Sequence, residues 1–581
     1  MKHTMTLFLL LLILFCNILP AQTFEPPTLS SPLRLPAEPS GTFAEIRTNH
    51  YHGGIDLRIG GDQGIGTPVY APADGYVSRL RISSYDGGKM LYINHKGNVT
   101  TVYLHLDGYH GDIAKYVLNH QRTHQCYAFD TTLPEGILPV RQGQVIAYAG
   151  NSGMSGGPHL HFEVRNSLTQ RSLNPLAYGL SIDDTISPTI KGIRLLPFNK
   201  DTRLNHANAP LQIGANGLGT KENPIPVFGR FYIGTYATDR SKGSTMNNGF
   251  DRIDIWVDGV PFFQYHMDEI NFDDTRSINA QLDWDHYTAT RQPYILTRRL
   301  CGDPTKPART YGDGSIGFID SDTTLHRVTI AVTDFNGNRS TRSIYLRNHF
   351  ETIVPMHEIP ERPPLRLLSD SLHYNQPIQV YRGDYQIEMP AGMTYYDDLL
   401  THGIQNDRRY ISPIYTVQPW KSPYPPHRTW TLRVPVVVGY EPEQLVLCRI
   451  DKGKTAALST RLVERHIVGK PGRWLEAKVR HFGNFVVMAD TTAPSIKPMN
   501  FKDGQRVGRF LKMKLRDDLS GIQEYRCLIN GEWVLAEFDG KSSTLSIDLT
   551  LVPKSAATLD LRILVTDACK NSRELRYRLR R

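Results

Sequence analysis

Apolar and polar residues alternate in short runs along most of this chain. Between about residues 43 and 178 the runs include Val69-Tyr70, Gly75-Tyr76-Val77, Met90-Leu91-Tyr92-Ile93, Val99-Thr100-Thr101-Val102-Tyr103 and Val145-Ile146-Ala147-Tyr148. Each is bounded by glycine, proline or polar residues. Short β-branched and aromatic runs with such punctuation predict strands, so this region is expected to be all-β. One stretch departs from the pattern. From Asp112 to Gln121 the larger side chains fall at Ile113, Tyr116, Val117 and His120, with Asp112 near the start. That spacing predicts a short helix, inside an insertion spanning 107–138.

The same alternation continues to the C-terminus, cut by two similar seams. Asp183-Asp184-Thr185-Ile186-Ser187-Pro188 precedes a segment that contains Trp256-Val257-Asp258-Gly259 and ends in Val332-Thr333-Asp334-Phe335-Asn336-Gly337-Asn338. Asp490-Thr491-Thr492-Ala493-Pro494 precedes one that contains Ile529-Asn530-Gly531 and ends in Val565-Thr566-Asp567-Ala568-Cys569-Lys570-Asn571. Asp-Gly and Asn-Gly between strands predict hairpins. The two segments, 183–350 and 491–581, are read as related β-sandwich modules resembling immunoglobulin-like ones. Between them, 351–490 is β-rich and proline-bearing, with strands at Thr431-Leu432-Arg433-Val434, Leu445-Val446-Leu447 and Phe485-Val486-Val487-Met488, and no motif there names a ligand. The fold class is therefore mostly β, with a β-sheet domain at 42–182 followed by β-sandwich modules.

The N-terminus reads differently. Lys2 is followed by an apolar run from Leu7 to Phe15 and then by Pro20-Ala21. The run is too short to span a bilayer. It fits a secretory signal over 1–21, followed by a proline-rich extended lead-in over 22–41. Phe15 before Cys16 is bulky where lipoprotein signals take a small residue, which argues against lipidation. No later segment is apolar enough to span a membrane. The expected location is exported: periplasm, cell envelope or extracellular.

Composition changes this picture little. With 581 residues the chain exceeds one core. Net charge is +9, and loss of Lys2 with the signal leaves +8. That mild bias fits an anionic partner such as a cell wall and equally an ordinary soluble surface; nothing reads as nucleic-acid binding. Five cysteines remain after cleavage, an odd number, and only Cys527 and Cys569 share a predicted domain and so form the one pair to consider.

Candidate chemistry lies in the first β domain. His159 and His161 are two residues apart on a predicted strand after Gly156-Gly157-Pro158. Residues i and i+2 of a strand share a face, so both imidazoles point to one side and Leu160 and Phe162 to the other. Two converging imidazoles suit zinc, although a lone His-x-His is a weak signal. Asn49-His50-Tyr51-His52-Gly53-Gly54-Ile55-Asp56 supplies His-x-x-x-Asp through His52 and Asp56. The glycines argue against a helix, and even spacing on an extended chain again gives one face. His50 competes with His52 as the first ligand, and the spacing to Asp56 favours His52. His105 stands between leucines in Val102-Tyr103-Leu104-His105-Leu106, a setting more usual for a core residue.

These motifs, with Gly66-Thr67-Pro68-Val69-Tyr70-Ala71-Pro72-Ala73-Asp74-Gly75 and the glycine-rich run from Gly150 to Glu163, occur in one order inside one β domain. Over about 41–178 the chain resembles the lysostaphin-type (LytM-like) zinc endopeptidases, which cut peptide cross-bridges of bacterial peptidoglycan. The resemblance implies a duplicated β-sheet hybrid motif as fold, Zn2+ as cofactor and peptidoglycan stem peptides as substrate. It implies His52, Asp56 and His161 as metal ligands, and His105 and His159 as unbound catalytic histidines. Which of the two is the base is open. The insertion carries His110, His120, His124 and Cys126, read as structural or surface residues in a groove wall or lid. Two other readings compete: a non-enzymatic cell-wall-binding regulator on the same fold, and a general secreted protease or adhesin acting through its sandwich modules. Those modules also offer surfaces for envelope protein partners.

Overall fold

The structure, a computed structural model, describes residues 25–581 apart from 35, 37, 61–63, 215–216, 243, 306, 351–366, 468–469 and 554–556, and no side chains over 465–471. The expected signal segment 1–21 lies outside the described residues, as do most residues at the expected boundary near 350.

The first domain is built on one twisted antiparallel sheet. Its principal strands are β1 (Pro39–Gly41), β2 (Ile55–Arg58), β3 (Gly75–Ile82), β4 (Lys89–His95) and β5 (Val99–Tyr109), with β6 (Val145–Ala149) and β7 (His159–Asn166) following a helix, α1 (Gly111–His124). Spatial order along the sheet is β1, β2, β7, β5, β4, β3. β7, late in the chain, is inserted between β2 and β5. This threads three sequence-distant segments side by side, and the site depends on it.

The alternation seen in the sequence is the alternation of burial. Leu160, Phe162 and Val164 of β7, Ile55 and Leu57 of β2, and Tyr103 of β5 are all fully buried in one core. Removing side chains of this size from water contributes about 1.5–3 kcal/mol each. The Tyr103 and Phe162 rings meet at 5.5 Å between centroids. Leu29 and Leu33 of the lead-in also pack into this core, so the extended segment before β1 is part of the domain's packing.

The insertion is more than a helix. α1 begins at Gly111 and runs to His124, three residues past the stretch whose spacing predicts it. It buries Ile113, Val117 and Gln121. Gln125 ends it in a left-handed conformation, with φ +48°. The strand Phe129–Thr132 then pairs with β3.

Three further apolar cores follow. Over 189–348 a four-stranded and a seven-stranded sheet enclose one core. Phe43 and Tyr51 belong to that core, although they precede β2; the segment carrying them ties the first domain to the second. Over 368–489 a six-stranded and a five-stranded sheet enclose the next. Over 495–580 two four-stranded sheets enclose the last. The Asp258-Gly259 and Asn530-Gly531 pairs both take positive φ at each residue, 53° and 84°, then 52° and 86°. They close the hairpins Arg252–Val257/Val260–His266 and Ile522–Ile529/Glu532–Trp533. Cys527 and Cys569 are both free thiols. Cys527 is buried in the last core, whereas Cys569 packs against Cys448 of the preceding domain, so the pair considered from the sequence is not formed.

Among the described residues, no helix is long and apolar enough to cross a membrane.

Candidate active site

Asp56 on β2 and His161 on β7 are direct cross-strand partners. Opposite residues of an antiparallel pair project from the same face, so register alone brings the carboxylate to the imidazole. His161 Nδ1 lies 2.8 Å from Asp56 Oδ1. His52 reaches the same point from the loop before β2: its Nε2 is 3.1 Å from Asp56 Oδ1 and 3.0 Å from His161 Nδ1. That loop runs hard against β7. A Cβ on Gly54 would lie 2.4 Å from the Phe162 carbonyl oxygen, so only glycine lets the loop pass this close.

His52, Asp56 and His161 are all buried. Each ring is oriented by its other nitrogen. His52 Nδ1 donates to the Thr42 carbonyl at 2.8 Å, and His161 Nε2 pairs with Glu163 Oε1 at 2.9 Å. The nitrogens left over, His52 Nε2 and His161 Nδ1, point inward with Asp56 Oδ1. A tetrahedral ion with ligands at about 2.0–2.1 Å needs ligand–ligand edges of about 3.3 Å. Edges of 2.8–3.1 Å are close to that. Two imidazoles and a carboxylate are also the donor types zinc takes. The residues present therefore fit zinc.

Electrostatics agree. Burial pushes the Asp56 carboxyl up, but hydrogen bonds from His159, His161 and His52 outweigh it and hold the group far below the carboxylate range. Burial pulls the His161 imidazole down, but Asp56 and Glu163 overcome this and raise it to about 9. Glu163, pushed up by burial, is brought down to about 2, chiefly by the Arg165 charge. Two ionised carboxylates thus hold a positive charge where the three inward atoms meet. A bound metal would replace His161's proton in that role.

His159 sits on β7 on the same side as His161, with Nε2 3.4 Å from Asp56 Oδ1. Its Nδ1 contacts the Gly157 carbonyl at 2.8 Å. His105 arrives by another device. Lys89 pairs with Leu106 and Leu91 with Tyr103, so Leu104 and His105 together oppose Met90. This is a β-bulge, and His105 takes φ +63° within it. Leu104 is opposite His161 and faces its side, so strict alternation would turn His105 toward Tyr103 and the core. The bulge re-aims it, as bulges beside sites do. Its ring centroid lies 4.9 Å from that of His159 and 6.1 Å from that of His161. His105 Nδ1 donates to the Ser152 carbonyl at 2.9 Å, and burial drives the imidazole down to about 4.

The five residues singled out in the sequence thus gather at one point. His50 does not join them: it is exposed, with Nδ1 on the Thr48 carbonyl. In the insertion, His110 pairs with the Tyr148 hydroxyl and His120 stacks on His124; among the described residues these histidines and Cys126 belong to no metal-capable group. Two contributors were missed from the sequence. Glu163 was legible in principle, since it lies two residues beyond His161 on the same strand face. Arg47, whose Nη2 lies 2.6 Å from Asp56 Oδ2, carried no motif signal.

Parts of this chain are similar to known proteins. Residues 50–125 and 130–175 match peptidase family M23, and residues 369–490 match the Zu5-like domain. An uncharacterized metalloprotease of Haemophilus influenzae is 32% identical over 26% of this chain and 26% of its own length. A peptidoglycan DD-endopeptidase, ShyB, of Vibrio cholerae is 33% identical over 25% of this chain and 28% of its own. The catalytic domain of the antimicrobial peptidase lysostaphin from Staphylococcus simulans is similar at 23% identity, covering 27% of this chain and 93% of that one, with a TM-score of 0.17. The chain matches only about a quarter of the length of these curated relatives. The N-terminal β domain, over residues 50–175, is a peptidase family M23 domain.

Proposed function

We propose that this protein is an exported zinc metalloendopeptidase that hydrolyses peptide cross-links of bacterial peptidoglycan. The observation that carries the reading is the meeting of His52 Nε2, Asp56 Oδ1 and His161 Nδ1 within 3.1 Å of one another, with two further imidazoles beside them. Relatives named as peptidoglycan DD-endopeptidases support the substrate class.

In this reading His52, Asp56 and His161 hold the metal. Zinc, when bound, supplies a Lewis acid that polarises a carbonyl and lowers the pKa of water to about 7. His105 and His159 are the catalytic pair. Each has Nδ1 committed to a backbone carbonyl, of Ser152 and Gly157, which leaves Nε2 for the chemistry, with that of His159 3.4 Å from Asp56 Oδ1. His105, held neutral by burial, can accept a proton there from water. His159, nearer Asp56, can steady the charge on the scissile carbonyl oxygen or pass a proton to the leaving amine. Glu163 and the Thr42 carbonyl fix the tautomers of the two ligating rings, the usual service of groups behind a metal site.

The test is muropeptide analysis of purified wall after digestion, comparing wild type with His161→Ala. New fragments from cut cross-links in the wild type alone are expected. Zinc-loaded wild type that releases none would favour a wall-binding regulator, and cleavage of unrelated proteins at equal rate would favour a general protease.

A further inference from the structure

Outside the active site, the two modules that follow the seams each gather three aspartates. Asp184, Asp239 and Asp334 bring carboxylate oxygens within 4.8 Å of one another, and so do Asp490, Asp517 and Asp567. The surroundings repeat as well. Asn338 Nδ2 donates to Asp334 Oδ2 at 2.8 Å and to the Asp184 carbonyl at 3.1 Å. Asn571 Nδ2 does the same for Asp567 Oδ2 at 2.8 Å and the Asp490 carbonyl at 3.0 Å. Among the described residues, no lysine, arginine or histidine is ion-paired with any of the six; Lys242 Nζ, nearby, goes to Asp183 instead.

An acidic cluster is not in itself a site, and the first cluster has something more. Asp239 is 5% exposed, and its Oδ1 is buried with no hydrogen-bond partner. Leaving a buried carboxylate oxygen bare costs about 1–3 kcal/mol or more. Burial holds its carboxyl at about 7, far above its ordinary range. Asn248, paired with Asp239 across an isolated antiparallel bridge, carries a second buried oxygen without a partner, Oδ1. Residues opposite each other in such a bridge project to one side. Two bare oxygens therefore leave the bridge together. Oxygens bound to one calcium ion at about 2.3–2.6 Å lie at most about 5.2 Å apart, so 4.8 Å admits all three carboxylates to a single cation. The donors are all oxygen, with no imidazole or thiolate, which suits a hard ion and not zinc.

We infer that Asp184, Asp239 and Asp334 form a calcium site that ties the seam at 183–188 to the first β-sandwich module. Asp184 belongs to the seam, Asp239 follows the strand Phe231–Thr238, and Asp334 follows the strand Leu325–Thr333. One ion fixes the connection leaving the peptidase domain against two strands of the next unit. The second cluster has the same layout, but among the described residues none of its carboxylate oxygens is both buried and unpartnered, and the assignment is to the first cluster alone.

The experiment is equilibrium dialysis of the full zinc-loaded chain against about 1 mM calcium, with elemental analysis and thermal melting, on wild type, Asp239→Asn and His161→Ala. Asp239→Asn keeps the side chain's shape and removes one charge, so it is expected to fold. Wild type is expected to hold about one calcium ion more than Asp239→Asn, and to show a calcium-dependent rise in Tm that this variant lacks. His161→Ala should retain both, which separates this ion from the zinc. Should Asp239→Asn fail to fold, Asp184→Asn takes its place with the same expectation. Equal calcium content in wild type and variant, or a calcium response that vanishes in His161→Ala, overturns the assignment.

Discussion

Arg47 and Asp56 meet on the side of the carboxylate that faces away from the histidines. Arg47 Nη2 lies 2.6 Å from Asp56 Oδ2, while Oδ1 faces His52 and His161. One oxygen is thereby held by a guanidinium and the other is left for the inward-pointing triangle. Arg47 lies on the short strand Ile46–Arg47, paired with His50–Tyr51, in the segment whose Phe43 and Tyr51 enter the second domain's core. The orientation of a residue in the first domain's site is thus coupled to packing in the next domain.

Replacing Arg47 tests that link. Arg47→Ala should lower zinc affinity by about 10–100-fold, the usual cost of losing a group that orients a metal ligand. Arg47→Lys should recover part of it, since lysine keeps the charge without the planar fork. Chelator competition on the folded protein gives the measurement. Wild-type affinity in Arg47→Ala would mean that Asp56 needs no such support.

Glu163 gives a second and sharper case. It is 3% exposed and joins His161 to Arg165, with Nε2–Oε1 at 2.9 Å and Nε–Oε2 at 2.5 Å. Glu163→Ala should lose zinc affinity by about 10–100-fold. It should also lower stability by about 3–5 kcal/mol, the cost of breaking a buried pair and leaving one charge unanswered. Glu163→Gln, which can still accept from His161, should retain more zinc than Glu163→Ala. Identical zinc binding in the two variants would remove the orienting role.

The C-terminal sandwich touches the loop that leads into β7. Lys541 Nζ donates to the Asn151 carbonyl at 2.8 Å and to the Ser155 carbonyl at 3.2 Å, and Lys89 pairs with Glu537 at 2.9 Å. Ser152 of this loop orients His105, and Gly157 orients His159. Lys541→Ala is expected to keep its zinc and to lower kcat/KM on a cross-linked peptide by about tenfold or less, the worth of one charge-assisted hydrogen bond of about 1.4 kcal/mol. An unchanged rate would show that the sandwich does not act on this loop.

Much of the site could be read from the sequence because strand geometry is simple. His159 and His161 share a face by spacing, and register then places Asp56 opposite His161. Glu163 follows from the same periodicity. His105 does not, because alternation would turn it into the core and only the bulge at Leu104-His105 brings it out. Arg47 reaches Asp56 through a tight fold of residues 42–51 that no period announces. The aspartates of the first module come from three separate segments, and the sequence shows them only as seam and turn residues. In the fold, hairpin chemistry at Asp258-Gly259 and Asn530-Gly531 located the turns, whereas the membership of Phe43 and Tyr51 in a distant core is a tertiary fact.

The remaining prediction separates ligand from catalyst within β7. His159 and His161 lie two residues apart on one strand face, yet Asp56 Oδ1 is 2.8 Å from His161 Nδ1 and 3.4 Å from His159 Nε2. His161 is buried and tied to Glu163, while His159 is more open, with a side chain 16% exposed. His161→Ala should therefore lose both zinc and activity, because it removes one of three ligands from the site. His159→Ala should keep its zinc and fall in rate by about 10²–10⁴-fold, the contribution of a positioned acid–base group. His105→Ala should behave as His159→Ala does. If the two act in one proton relay, the double variant should be little slower than either single one, since groups that work as a unit are not additive. Zinc content by elemental analysis is set beside turnover of a defined cross-linked peptide. Loss of zinc in His159→Ala to the extent seen in His161→Ala would make His159 a ligand, and the division of labour on this strand would have to be redrawn around the 3.4 Å contact.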